Sequence, residues 1–287
     1  MSSTVLRSRY VMAGTVKTHY SETGDNGPVL IALHGGGAGS SGEAGAGALM
    51  QALPADYRVL ALDAIGGFGK TDPSAPSPYG LQSRVDHLEA FVDALCLDRF
   101  SLMGNSQGAW VAARYAALHP DRVEKLVLIG TATISSALGI PEVHSPGMAA
   151  LRGYDGTREG MRKLLDSLIY NKEKITEALL DLRYAAASAP GAMDAYRATV
   201  KTNRLLQTEP ILRLQFDRTT ALPELAKVVP TMFIWGENDE FALPELGRKI
   251  EAVVPQIPFR WVPKAGHQVQ TDQPRQTADI IVDFLRG

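Results

Sequence analysis

Apolar positions follow two rhythms along this chain, and the switch between them marks its organisation. Short runs, apolar on both faces, recur in the first half: Val29-Leu30-Ile31-Ala32-Leu33, Val59-Leu60-Ala61-Leu62, Phe100-Ser101-Leu102-Met103 and residues 123–129. Side chains buried on both faces belong to the strands of a covered parallel sheet. Residues 16–20 alternate instead and predict an edge strand. Between the runs, Val85, Leu88, Phe91, Val92 and Leu95 form one stripe of a helix over 81–95. The Ala-rich stretch 107–118 predicts a helix slim enough to pack closely on a sheet.

Beyond residue 132 the buried-strand signal stops. The spacing predicts helices over 157–170, 172–188 and 193–206, with a short one after Pro210; the first is amphipathic through Met161, Leu164, Leu165, Leu168 and Ile169. Strand signals return at 230–235 and 259–262. They alternate with helices over 244–254 and 274–285, the last carrying Ile280, Ile281, Phe284 and Leu285. Strand–helix alternation of this kind predicts an α/β fold, a mostly parallel twisted sheet flanked by helices. Its core takes residues 1–132 and 222–287, and residues 133–221 form an inserted all-helical lid.

Composition narrows the function. Lys and Arg number 29 against 31 Asp and Glu, a formal charge of −2, so no electrostatic footprint for nucleic acid or an anionic membrane exists. No apolar run approaches the ~18 residues of a membrane span. Arg7 and Arg9 interrupt any apolar signal core, which points to a cytoplasmic protein. Cys96 stands alone, excluding a disulfide framework or multi-Cys metal cluster, and is expected to be a small buried hydrophobe. Glycine is in excess at 35–47 and 66–69, which predicts functional loops.

The candidate chemistry sits at strand ends. Gly104-Asn105-Ser106-Gln107-Gly108 is a G-x-S-x-G pentad between a strand and a small-residue helix. A serine presented on a strained strand-to-helix turn needs glycine on both sides so that neighbouring backbones can approach. His34-Gly35-Gly36-Gly37 follows an earlier strand, and its N–H groups, with that of Gln107, can face a developing oxyanion. Gly35, Gly36 and Gln107 are therefore the oxyanion-hole candidates, with His34 as a hydrogen-bonded loop anchor. Ala265-Gly266-His267 lies after the last strand, where the base of a Ser…Asp…His order belongs. Asp239, three residues past the strand-ending Gly236, is the candidate acid; Glu237 and Glu240 are alternatives. In such a set His267 takes the Ser106 proton and Asp239 holds the imidazole tautomer. No H-E-x-x-H or clustered ligand spacing suggests a metal, and Gly66-Gly67-Phe68-Gly69 lacks the dinucleotide spacing, so no cofactor is expected.

These features together resemble an α/β-hydrolase over nearly the whole chain, and more narrowly the meta-cleavage-product hydrolases, which split carbon–carbon bonds in ring-fission products of aromatic catabolism. The resemblance rests on Leu33 to Gly39, on Gly104-Asn105-Ser106-Gln107-Gly108 continuing to His119-Pro120-Asp121-Arg122-Val123, and on a stretch from Leu168-Ile169-Tyr170 to Asp181-Leu182-Arg183-Tyr184. It implies that Arg183 binds the dienoate end of the substrate, with Asn105, Gln268 and Gly37 also against it. The sequence departs from that family's pattern at Gln268, where Trp is usual, at Ala38, where Pro is usual, and at Gly45, where a polar Asn is usual. The resemblance implies a cofactor-free serine hydrolase of 2-hydroxy-6-oxo-hexa-2,4-dienoate-type products, taking a small molecule and compatible with a homodimer. Two other activities fit the same residues: a carboxylesterase, lactonase or thioesterase, and a ligand-binding protein that hardly turns over.

Overall fold

The computed structural model describes residues 5–135, 138–141, 144–209 and 222–287. The expected short helix after Pro210 lies outside them. Strands β1 (Arg7–Ala13), β2 (Val16–Thr23) and β3 (Val29–Leu33) precede helix α1 (Gly42–Ala52) and β4 (Arg58–Leu62). Then come α2 (Leu81–Ala94), β5 (Phe100–Asn105), α3 (Gln107–Leu118) and β6 (Val123–Ile129). Helices α4 (Pro146–Arg152), α5 (Arg158–Leu168), α6 (Glu177–Ser188) and α7 (Ala192–Thr208) follow. The chain closes with α8 (Leu222–Leu225), β7 (Thr231–Gly236), α9 (Pro244–Val253), β8 (Phe259–Val262), α10 (Val269–Asp272) and α11 (Pro274–Arg286).

One eight-stranded sheet runs in the order β1-β2-β4-β3-β5-β6-β7-β8. β1 pairs antiparallel with β2, and β2 with β4; every later pairing is parallel. The pattern of the strands follows from two-sided burial. Ile31, Leu33, Leu60, Leu62, Leu102, Leu126, Leu128, Phe233 and Trp235 face α2, α3 and α9, while Leu30, Ala32, Val59, Ala61, Met103, Val127, Ile129 and Ile234 face α1 and α11. Each large side chain so buried contributes roughly 1.5–3 kcal/mol. The helices between β6 and β7 hold a separate apolar cluster of Met161, Leu164, Leu165, Leu168, Ile169, Ile175 and Leu180.

Four expectations change. Residues 16–20 belong to the longer β2, which is not an edge; β1 covers it. β1 exposes Ser8, Arg9, Tyr10 and Met12, so it carries no apolar alternation to detect. The glycine-rich stretch 35–47 is a loop only to Ser41, whose hydroxyl accepts from Ala44 N and starts α1. Small residues there serve packing: a Cβ at Gly42 would stand 2.2 Å from the Ala61 carbonyl oxygen. The helix expected over 172–188 begins only at Glu177, because the Thr176 side chain caps it by accepting from Leu179 N. Cys96 is exposed, not buried; it follows α2 at φ +52°, in the left-handed turn ending the helix.

Candidate active site

Ser106 joins β5 to α3 with φ +57° and ψ −121°. Among the described residues, only Cys96 and Lys264 share positive φ without being glycine. Such a conformation costs about 1–3 kcal/mol and persists where surrounding structure enforces it. Both glycines of the pentad are sterically required. A Cβ at Gly104 would lie 2.3 Å from the Gly108 carbonyl oxygen, and one at Gly108 would lie 2.3 Å from that of Leu33. The turn therefore locks α3 against the end of β3 and lifts Ser106 above the sheet, at the C-terminal ends of the parallel strands, where open α/β sheets bind ligands.

β7 and β8 bring in the other two residues. His267 Nδ1 donates to Asp239 Oδ2 at 2.9 Å, and both residues are buried. The other carboxylate oxygen of Asp239 accepts the main-chain N–H groups of Phe241 (2.7 Å) and Ala242 (2.8 Å), which aims Oδ2 at the imidazole. Nδ1 is thus the protonated nitrogen, assigned from its partner, and Nε2 keeps its lone pair. The Phe241 ring stacks on the imidazole at 4.6 Å. Gly130, at the end of β6, passes beneath the pair at φ +49°, where a Cβ would sit 3.3 Å from Asp239 Oδ2. Glu237 and Glu240 are both exposed, so burial separates them from Asp239.

Asn105 holds the Ser106 turn to the histidine loop. Its amide donates to the main-chain carbonyls of Ile129 (3.2 Å) and His267 (3.0 Å). This side chain, expected against the substrate, is buried and bound to backbone. Ser106 N donates to Ile129 O at 2.9 Å. The Ser106 hydroxyl makes no direct hydrogen bond to His267 among the described residues; such contacts are often long without substrate.

The glycine loop closes over the serine. A Cβ at Gly35 would be 3.3 Å from Ser106 Cβ, and one at Gly36 would collide with the Gln107 carboxamide, at 1.9 Å from Oε1. His34 anchors the loop as expected: Nδ1 donates to Gly35 O at 2.7 Å and Nε2 accepts from Ala64 N at 3.0 Å. Burial, with the Arg84 guanidinium nearby, holds its pKa well below the ordinary imidazole value, so it stays neutral.

Two buried arginines flank this loop. Arg183, on α6, donates from Nη2 to Ala38 O and to Ser40 Oγ, both at 3.1 Å, and a Cβ at Gly37 would be 3.3 Å from the same nitrogen. Arg84, on α2, donates to His34 O at 2.7 Å and to Gln107 Oε1 at 3.5 Å, with its guanidinium 5.1 Å from the centre of the Phe68 ring. Burial pushes both guanidinium groups down to about 10, and among the described residues neither has a carboxylate partner. Sequence reasoning missed Arg84. The available signal was a charged residue inside the apolar stripe of α2, in step with Leu81, Leu88 and Phe91. Gln268 is buried; its Oε1 accepts from Thr271 Oγ1 at 3.3 Å, and its N–H donates to Leu168 O at 3.1 Å. Gly45 lies within α1 against His34, not over the serine. No group of three or more metal-ligating side chains occurs among the described residues, and no helix there is long and apolar enough to cross a membrane.

Residues 28–274 match the family model for the alpha/beta hydrolase fold. The chain is 30% identical over 277 residues to 2-hydroxy-6-oxo-2,4-heptadienoate hydrolase of Pseudomonas putida strain F1, covering 96% of this chain and 95% of that protein. It is 32% identical over 280 residues to 2-hydroxy-6-oxo-6-(2'-aminophenyl)hexa-2,4-dienoic acid hydrolase of Metapseudomonas resinovorans, covering 96% and 90%. Among solved structures, the meta-cleavage product hydrolase of Pseudomonas fluorescens IP01 superposes with a TM-score of 0.79 at 29% identity, covering 97% of each chain. A serine on a strained strand-to-helix turn, a His–Asp pair from the last two strands and full-length similarity agree: this chain belongs to the α/β-hydrolase fold family.

Proposed function

We propose that this protein is a cofactor-free serine hydrolase that cleaves a carbon–carbon bond in 2-hydroxy-6-oxo-hexa-2,4-dienoate-type ring-fission products. The observation that carries this reading is Arg183. A guanidinium buried beside the glycine loop without a carboxylate among the described residues is costly unless a ligand supplies the anion. A dienoate carboxylate does so, and the relatives' names give the same substrate class. Ser106, His267 and Asp239 act as nucleophile, base and orienting acid, and residues 133–221 act as a lid over them.

The dienol first tautomerises, a proton moving from the 2-hydroxyl to C5, with His267 carrying the proton traffic. Ser106 then loses its proton to His267 Nε2 and attacks the C6 ketone. The N–H groups of the Gly35–Gly36 loop and of Gln107 hold the oxyanion. On its collapse the C5–C6 bond breaks, and the electron pair leaves as a dienolate that a proton from His267 quenches. Water deprotonated by His267 then frees the acyl group as a carboxylic acid. Arg183 holds the carboxylate end throughout, so the reacting ketone stays over Ser106.

The purified protein should bleach a yellow meta-cleavage dienone, with a dienoate and a carboxylic acid as products by mass spectrometry. Failure with methyl, alkyl and aryl dienones alongside fast p-nitrophenyl acetate turnover would replace this reading by a carboxylester hydrolase on the same three residues. Gln268, bonded to Thr271, and Gly45, packed within α1 against His34, stand where the resemblance implies Trp and Asn, and this favours that second reading. The reading further takes the enzyme to be cytoplasmic and compatible with a homodimer; light scattering on the purified protein tests the dimer.

A further inference from the structure

Asp272 is a buried carboxylate in none of the steps above. It ends α10, five residues past His267, with 1% of its surface exposed. Three main-chain N–H groups converge on it: Gly266 (2.8 Å) and Tyr170 (3.0 Å) donate to Oδ2, and Asn171 (2.7 Å) donates to Oδ1. Among the described residues no Lys, Arg or His side chain pairs with it. One donor lies beside His267; the other two follow α5, on the helical stretch leading to Arg183. Further bonds sew the same seam. Gln268 N donates to Leu168 O at 3.1 Å, and Asn171 Nδ2 donates to Lys264 O at 3.1 Å. The contact is close enough that a Cβ at Gly266 would stand 2.9 Å from Leu168 O.

Three consecutive residues of the histidine loop are therefore anchored at their backbones: Gly266 N–H on Asp272, His267 C=O on Asn105, and Gln268 N–H on Leu168. Lys264, at the start of this loop, holds a left-handed φ of +53°, so the loop does not sit in a relaxed conformation. Proton transfer demands placement of the imidazole to a fraction of an ångström, and anchoring its flanking peptides supplies that.

We propose that Asp272 is a positioning residue for His267, a carboxylate clamp that sets the base in register with the helical segment carrying Arg183. It touches no reacting atom. This inference rests on reading His267 as the base, and the experiment separates the two. Asp272→Asn keeps the volume but replaces one anionic acceptor oxygen by an amide NH2, a donor that repels a facing N–H. The expected result is a kcat lower by about 10- to 100-fold with KM within about threefold, on the dienone and on a neutral ester alike. Asn171→Ala, on the opposite side of the seam, keeps its main-chain N–H on Oδ1 but removes the Nδ2 bonds to the main-chain carbonyls of Lys264 and Asp272, and should lower kcat several-fold with the same split. The double variant should lose less than the product of the single losses, because both act through one clamp. A clamp that served only stability would move the midpoint of urea unfolding and leave kcat per folded molecule unchanged.

If His267→Ala abolishes turnover while Asp272→Asn and Asn171→Ala leave kcat intact, or if their losses multiply independently, the clamp is refuted and the base assignment stands. If His267→Ala leaves turnover intact, the base assignment itself falls. Should Asp272→Asn not fold, Asp272→Glu, which keeps the charge but moves the acceptor oxygens away from the three N–H groups, takes its place with the same expected kcat loss, and an unchanged kcat refutes the clamp.

Discussion

Two sets of Ser, His and Asp meet in this molecule, and the more completely hydrogen-bonded one is in the wrong place for chemistry. At the β1–β2 side, Ser8 Oγ donates to His19 Nε2 at 2.8 Å and His19 Nδ1 donates to Asp63 Oδ2 at 2.7 Å, an unbroken relay. At the strand ends, His267 donates to Asp239 at 2.9 Å, while the Ser106 hydroxyl stays unbonded to the imidazole. What differs is the surroundings. Ser8 is an ordinary residue of β1, with no left-handed φ and no helix beginning behind it. Asp63 also accepts from Gly42 N at 2.6 Å and Lys70 N at 2.8 Å, so it fastens α1 and the following loop to β4. That set is a buttress. Ser106 instead has a strained turn, a glycine loop within van der Waals reach and two buried guanidinium groups. A hydrogen-bonded triad is therefore poor evidence for a site by itself; preorganised donors and stored backbone strain discriminate.

Substitution at the two serines and at His267 tells the two sets apart most sharply. Ser106→Ala and His267→Ala should each lower kcat by about 10⁴-fold or more. Ser8→Ala should leave kcat within about twofold in the same assay; a comparable loss there would make the relay at β1 a working part of the enzyme. The next effect is that of the buried charge beside the glycine loop. Arg183→Met should cost about 10²-fold in kcat/KM on a carboxylate-bearing dienone and little on p-nitrophenyl acetate. Equal losses on both substrates would remove its assignment to the carboxylate.

The buttress should show itself in stability instead. Asp63→Ala leaves the Gly42 and Lys70 N–H groups and His19 without their acceptor, and should cost about 2–4 kcal/mol in urea unfolding. The smallest effect concerns pH. His87, on α2 and bound to Thr18, is pushed by burial to about 4, and His34 at the glycine loop is also held well below the ordinary value. The unfolded chain protonates such histidines near 6.5, whereas the folded chain refuses the proton. Stability is thus full above about pH 6.5 and falls as pH drops toward 4, by up to about 1.4 kcal/mol per pH unit for each group. His87→Gln, which needs no proton, should flatten that slope in denaturation curves between pH 4 and 7; an unchanged slope would place the acid lability elsewhere.

Much of the architecture was legible because two-sided burial writes itself into composition. Val29–Leu33 and Thr231–Gly236 are apolar throughout since helices cover both faces of the sheet. β1 was not legible because it is an edge strand with exposed polar and aromatic residues. The α1 stretch reads as loop in the sequence because Gly42, Gly45 and Gly47 are poor helix formers, and only the closeness of Ala61 explains the first of them. In the candidate site, Ser106 and His267 were named from local motif and chain order. Asp239 was one of three neighbouring carboxylates in the sequence, and burial is what sets it apart.

Apart from β1 and α1, the alternation of strands and helices is written in the sequence, as are the glycines flanking Ser106 and the place of His267 after the last strand. Each of these depends on neighbours a few residues away, on side-chain periodicity or on a turn only glycine permits. Packing alone brings Arg84 to the His34 carbonyl, Asn105 to the histidine loop, and the Tyr170 and Asn171 N–H groups to Asp272. Those contacts join residues roughly 50 to 160 positions apart. Buried polar groups take whichever partner folding delivers, so their roles are set by packing and leave no local trace.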